Sequence, residues 1–287
     1  MKKLLYILTF LIPLLISTNS CNDDFDINVP DPDDLIVIDG WIENGQFAKV
    51  LVTRNSPYFS SIDSISIRSL VLTFAKVTLS DGERSEILIL RRNNDYFPPY
   101  IFEGNEIIGD TGKTYSIKVE YGGKTATAHT IIPPKVPLDT AYFKLETNSD
   151  SLGKIYVEFY DPPELKNFYR VLTKTLGKDI RYTSSIAIGI DDNLFNGEKF
   201  GFSLSNGPGS FMTTSENEYF RLGDTVSLKF CTIDKPHYDF WMSLQEEIMN
   251  ASNPFASSLS IVKSNVEGDG LGIWGGYGVY YYTLVMK

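Results

Sequence analysis

Two cysteines and two histidines among 287 residues leave little material for a disulfide framework or a metal centre. No His-Glu-x-x-His element, no paired cysteine ligands and no Gly-x-Ser-x-Gly elbow occur, so zinc and serine hydrolysis have no support in the sequence. The glycines after Val266 lack a Walker lysine and a strand-to-helix context, which removes a phosphate loop. Positive charge is also short, with 26 Lys and Arg against 36 Asp and Glu, and the net charge of -10 repels polyanions, so nucleic acid is excluded as a partner. Gly 22 and Pro 14 are near ordinary usage and rule out a collagen-like repeat. With hydrophobic residues at 43%, the chain buries enough to fold.

The first twenty residues read as an export signal. Lys2 and Lys3 precede an almost unbroken 13-residue apolar run, Leu4 to Ile16, and small or polar residues lead to Cys21. The run is short for a membrane span and right for a signal h-region. Its removal takes two lysines and no acids, so 24 basic residues then face 36 acidic ones, or -12. Cys21 is the expected lipidation site, where a thioether-linked diacylglyceryl group and an amide-linked chain such as palmitate anchor the protein in a lipid membrane. Each buried CH₂ contributes about 0.8 kcal/mol to that anchorage. The alternatives are conventional secretion, with Cys21 a spectator thiol or paired with Cys231, and retention of the apolar run as a helix. Residues 21–34 carry Asp23, Asp24, Asp26, Asp31, Asp33 and Asp34 with Pro30 and Pro32, and such a stretch reads as a solvated acidic tether. Asp23 and Asp24 resemble the acidic tag that marks Bacteroidota lipoproteins for the outer face of the outer membrane.

From Leu35 the pattern is mainly β. Expected strands are Leu35 to Glu43, Ala48 to Arg54, Ser69 to Leu79, Glu86 to Arg91, Tyr100 to Phe102, Thr114 to Tyr121 and Lys124 to Ile132. Ile117, Val119 and Tyr121 alternate with Lys118 and Glu120. Gly122-Gly123 then turns the chain into a second arm of period two, which is a hairpin with one face on a core. Residues 35–132 are expected to form an immunoglobulin-like or transthyretin-like β-sandwich. Three prolines in residues 133–139 mark a linker. Residues 140–287 are expected to form a second, β-rich domain with strands at Ala141 to Glu146, Gly153 to Tyr160, Tyr169 to Leu176, Ser184 to Ile190, Gly201 to Leu204, Thr225 to Cys231 and Val279 to Val285. Trp241, Leu244 and Ile248 recur at helical spacing, so one packed helix is expected near 236–250, capped by Asp234 with Pro236 in its first turn.

Several fragments carry a family resemblance by their order and spacing: Ser80-Asp81-Gly82, Gly112-Lys113-Thr114-Tyr115, Ile132-Pro133, Asp161-Pro162, Asn167-Phe168-Tyr169-Arg170, Tyr238-Asp239-Phe240-Trp241, Asn253-Pro254-Phe255, and the run from Ser264 through Gly272-Ile273-Trp274-Gly275-Gly276-Tyr277. From about Ile36 onward the chain resembles the Bacteroidota outer-membrane lipoproteins grouped as domain of unknown function 4249, with Trp274 where related chains are expected to carry Phe. The resemblance implies an outer-membrane lipoprotein, often encoded beside a TonB-dependent transporter. It implies no catalytic residues.

The leading expectation is therefore a non-enzymatic lipoprotein, an accessory or ligand-capture component of such a transporter, exposed on the cell exterior. A structural or adhesive surface protein is the alternative. A glycoside hydrolase would need a carboxylate pair, for which Asp161, Glu164, Asp191, Asp192, Glu267 and Asp269 are available. Asp191, Asp192 and Asn193 form an Asx-rich turn that doubles as a calcium candidate. Tyr58, Phe59, Tyr96, Phe97 and Tyr100 place rings in proline-flanked loops, where they lose little freedom on meeting a glycan or peptide ligand; the alternative is that they fold back to cover an open end of the sandwich. The glycine and aromatic residues after Val266 are read as packing elements, because glycine lets backbones approach while the rings cover core. Cys231 ends an apolar run and reads as a buried, inert thiol.

Overall fold

A computed structural model describes residues 34–56, 63–185, 189–207, 218–251 and 262–287. Residues 34–287 form one compact unit. Its largest element is a nine-stranded sheet built from β1 (Ile36–Glu43), β2 (Phe47–Arg54), β5 (Ile89–Arg92), β6 (Tyr100–Ile108), β11 (Phe168–Thr175), β12 (Thr183–Ser184), β13 (Ile190–Asp191), β16 (Thr225–Ile233) and β18 (Gly270–Val285). The strands lie in the order β12-β11-β16-β18-β1-β2-β6-β5, with β13 also paired to β11. β18 runs parallel to β1 over Gly270–Tyr277 and antiparallel to β16 over Tyr277–Val285. The large sheet thus takes strands from both sides of the 133–139 linker, and its central strand comes from the C-terminus.

Two smaller sheets complete the cores. β3 (Lys76–Ser80), β4 (Ser85–Ile87), β7 (Thr114–Tyr121), β8 (Lys124–Ile131) and β17 (Val266–Gly268) form one, in the order β17-β8-β7-β3-β4. β9 (Thr140–Leu145), β10 (Leu152–Tyr160), β14 (Lys199–Leu204) and β15 (Phe220–Arg221) form the other. Period-two alternation decides which residues meet: Ile38, Ile42, Val50 and Val52 pack with Val77, Ile117, Val119 and Ala126 in the first core. Tyr169, Val171, Leu228 and Phe230 pack with Ile155, Val157 and Phe159 in the second. Along β18, Trp274 enters the first core while Tyr280, Tyr282 and Leu284 pack on the second.

The β7–β8 hairpin is as expected, turning through Gly122 and Gly123, both at positive φ. Other expectations need correction. The strand expected at Ser69 to Leu79 is confined to β3, because the chain first makes a short helix, α1 (Ser64–Ser69). The Asp63 carboxylate caps α1 by accepting from the N–H groups of Ile65 and Ser66 at 2.9 and 2.7 Å. β6 runs six residues past Phe102. Its irregular middle is stabilised by the buried Glu86 carboxylate, which accepts the backbone N–H groups of Asn105, Glu106 and Ile107 at 2.9–3.0 Å. Of the strand expected over Ser184 to Ile190, the described residues show β12 at one end and β13 at the other, and residues 186–188 lie outside them. β18 begins nine residues before Val279, since its glycines interrupt the apolar alternation that marks a strand.

The expected helix is present as α2 (Lys235–Ala251). Asp234 caps it, accepting from His237 N at 3.0 Å, and its second oxygen accepts from Thr130 Oγ1 at 2.8 Å, so the cap also ties α2 to β8. Gly275 lets α2 approach β18: a Cβ there would lie 2.2 Å from the His237 ring. Together these contacts seat α2 on the face of the large sheet opposite the two cores.

Candidate ligand-binding site

That opposite face is not covered throughout. β1 alternates Ile36, Ile38 and Ile42 into the first core with Asp39, Trp41 and Glu43 on the other side. β2 contributes Phe47, Lys49 and Leu51 to the same side, β11 contributes Arg170, Leu172 and Lys174, β16 contributes Lys229, and β18 contributes Tyr277 and Tyr281. These residues floor a cavity of about 550 Å³, within the size range of small-molecule sites. Its walls are the 95–100 loop with Tyr96, Phe97 and Tyr100, the 180–183 segment with Arg181 and Tyr182, and Trp241 of α2.

A buried ion pair lies at its centre. Lys229 Nζ donates to Glu43 Oε1, and Tyr281 Oη donates to Glu43 Oε2 at 2.9 Å. Burial works against the Lys229 ammonium, but attraction to Cys231, Glu43 and Tyr277 outweighs it and raises the pKa. Burial pushes the Cys231 thiol up to about 12, so at neutral pH the negative charge comes from Glu43 rather than from sulfur. Lys229 also lies 4.9 Å from the Tyr277 ring centroid, a cation over an aromatic face.

Arg170 is almost fully buried. Its guanidinium stacks on Trp241, 3.6 Å from the ring centroid, and Nη1 donates to Tyr277 Oη at 2.5 Å. Arg181 at the rim lies over Tyr96, 5.3 Å from its centroid, and Tyr96 in turn stands 6.0 Å from Trp41. Neither arginine makes an ion pair among the described residues. Asp39 is open to the cavity's solvent yet surrounded by protein; that burial raises its pKa, while Arg170 and Arg181 pull against the rise. The lining holds five cationic side chains against three carboxylates in a chain whose net charge is -10.

His237 sits behind this wall, fully buried, edge-on to Tyr277 at 4.6 Å and with Nδ1 unpartnered. Burial, helped by the charge of Arg170, holds its imidazole at about 3 instead of 6.5. Between those values the unfolded chain binds the extra proton, so this residue makes stability fall as pH drops from about 6.5 towards 3. Urea midpoints measured between about pH 7 and pH 4 are expected to decline less steeply in His237→Gln; equal slopes would contradict the buried, neutral imidazole.

The structure brings together three of the five loop aromatics named from sequence, Tyr96, Phe97 and Tyr100. Tyr58, Phe59, the lipidation candidate Cys21 and the tag residues Asp23 and Asp24 lie outside the described residues. The calcium candidates do not converge. Asn193 Nδ2 donates to Asp191 Oδ2 at 2.5 Å, Lys166 Nζ donates to Asn193 Oδ1 at 2.5 Å, and buried Asp192 accepts from Asn167 N at 2.5 Å. Among the described residues no group of three His, Cys, Asp or Glu side chains could hold a metal ion. Asp161, a candidate acid, is buried and accepts from Tyr169 Oη, Asn167 Nδ2 and Gly197 N, while Asp269 accepts from Thr125 N at 2.9 Å. Those oxygens serve the fold.

The match to known families agrees with the motif order. The model of a domain of unknown function, DUF4249, matches residues 22–283. The chain belongs to the DUF4249 family. Nearly all of the described DUF4249 unit lies within the match, including every cavity-lining residue. No curated protein matches the chain. Among solved structures, it is similar to a crystal structure of the chicken interferon gamma receptor alpha chain at 10% identity and a TM-score of 0.20, covering 70% of this chain and 90% of that one. A score that low carries no argument about this DUF4249 chain.

Sequence reasoning missed Arg170, Lys229, Trp41 and Trp241 as site residues. One signal was present: a lysine amid Val226-Ser227-Leu228-Lys229-Phe230 is a charge inside a strand buried on both faces, which needs a partner.

Proposed function

We propose that this chain is a non-enzymatic, lipid-anchored outer-membrane protein facing the cell exterior, which captures a small ligand in the cavity of the large sheet for a TonB-dependent transporter. The observation that carries this reading is the cavity itself, where aromatic faces share one open concave surface with two arginines that make no ion pair among the described residues. The export signal, Cys21 and the acidic tether supply the anchor and the reach. In this reading the first core and its two facing sheets are an immunoglobulin-like or transthyretin-like scaffold that fixes the cavity floor.

Two of the three cavity carboxylates, Asp39 and Glu43, lie four residues apart on one strand, a backbone separation of roughly 13 Å at about 3.3 Å per residue, against the roughly 5–9.5 Å between the carboxyl groups of a glycosidase pair. Glu43 is also engaged by Lys229 and Tyr281.

Affinity purification of the lipidated protein from its native outer membrane tests the assignment. A TonB-dependent transporter in stoichiometric amount is the expected result. Recovery as a lone protein under gentle conditions would contradict it and favour the structural or adhesive alternative.

A further inference from the structure

The charge layout of the cavity is unusual for its own chain. A strongly acidic protein has placed an excess of cations in one concavity, and two of them, Arg170 and Arg181, make no ion pair among the described residues. A buried guanidinium without a carboxylate is costly unless something supplies the anion. Arg170 is held in place without one: stacking on Trp241 and the hydrogen bond to Tyr277 fix its plane, while its Nε is buried and unpartnered. Arg181 is positioned over Tyr96. A planar, pre-oriented guanidinium is the group that matches a carboxylate.

Asp39 refines the class. Its carboxylate feels both arginines but forms no hydrogen bond or ion pair among the described residues, so it is a free acceptor beside the cationic site. A ligand that satisfies all three groups carries a carboxylate for the arginines and a hydroxyl to donate to Asp39. Trp41 and Tyr96, 6.0 Å apart and mutually tilted, add ring faces on which the C–H face of a sugar can lie.

Resting on the capture reading above, we infer that the cavity binds an acidic carbohydrate, its uronate carboxylate at Arg170 and Arg181, a hydroxyl on Asp39 and a ring face against Trp41 and Tyr96. The volume of about 550 Å³ accommodates a disaccharide.

The test uses the full mature chain titrated calorimetrically with three probes: digalacturonate, its methyl ester and the zwitterionic dipeptide alanylphenylalanine. Digalacturonate is expected to bind at least about tenfold more tightly than the ester, with a preference that weakens as salt is raised. Arg181→Gln, at an exposed position, is expected to cost about tenfold in digalacturonate affinity and leave the ester unchanged, and Arg170→Gln to do the same if its folding is intact. Equal binding of acid and ester, an unchanged preference in Arg181→Gln, or binding of the dipeptide but not the sugar would overturn the acidic-carbohydrate assignment while leaving capture standing. Absence of binding by all three probes also overturns it, and co-purification with a transporter then decides the capture reading separately.

Discussion

Replacing Lys229 by methionine is expected to lower stability by about 3–5 kcal/mol, because the variant leaves the Glu43 carboxylate buried without its cation. Tyr281 Oη would remain as the one side-chain donor to Glu43 among the described residues, and a single neutral hydrogen bond does not replace an ammonium at a buried carboxylate. The companion Glu43→Gln/Lys229→Met double variant removes both charges and is expected to recover most of the loss, as buried pairs do when replaced together. Urea denaturation of the wild type, both single variants and the double variant closes the cycle. A Lys229→Met midpoint unchanged from wild type would mean that the pair is solvated and contributes little. Because Lys229 lies on β16 and Glu43 on β1, with β18 between them, the same cycle measures how firmly the two halves of the chain are joined.

Trp274→Ala is expected to cost about 3–5 kcal/mol, the range for truncating a large buried aromatic. The indole is fully buried, and its ring lies so close to Gly40 that a Cβ there would come within 2.9 Å of it. Its Nε1 donates to the Tyr115 carbonyl at 3.0 Å. Trp274→Phe keeps a ring but forfeits that bond and some volume, for an expected cost of about 1–2 kcal/mol. The decisive readout is where the damage falls. Trp274 is contributed by the C-terminal strand, yet it fills the core built mainly from residues 36–132. Hydrogen exchange in Trp274→Ala is therefore expected to accelerate in β1, β7 and β8; acceleration confined to β9, β10 and β14 would contradict the shared core.

Much of this architecture is legible in local sequence. Alternation of Ile117, Val119 and Tyr121 about Gly122-Gly123 specifies the β7–β8 hairpin, and the Trp241, Leu244, Ile248 spacing with Asp234 before it specifies α2. Both patterns work because they involve residues that are neighbours in the chain. The length of β18 is hidden for the opposite reason. Its glycines make room for neighbours far away in sequence, such as His237 at Gly275 and Ile38 at Gly272, and a strand whose alternating positions are glycine has no apolar period to read. The short β6 expectation fails similarly, since the carboxylate that sustains the strand past Phe102 comes from Glu86.

The candidate site divides along the same line. Tyr96, Phe97 and Tyr100 stand out because rings among prolines in a loop are conspicuous. Arg170, Lys229, Glu43 and Tyr277 are separated by up to 234 positions and meet only through the strand order β11-β16-β18-β1. Periodicity says which face a side chain takes, but not which strand lies beside it. The parallel pairing of β1 with β18 is what brings Glu43 opposite Tyr277, and nothing local announces it.

In the proposed function, the cavity side of the large sheet is the working surface. Hydrogen-exchange mass spectrometry of the full mature chain, with and without the concentrated low-molecular-weight fraction of the growth medium, tests this directly. Slowed exchange confined to the 93–100 loop, the 180–185 segment and the first turns of α2 is the predicted result. Slowing on the outer faces of the two small sheets, with those three segments unchanged, would contradict it.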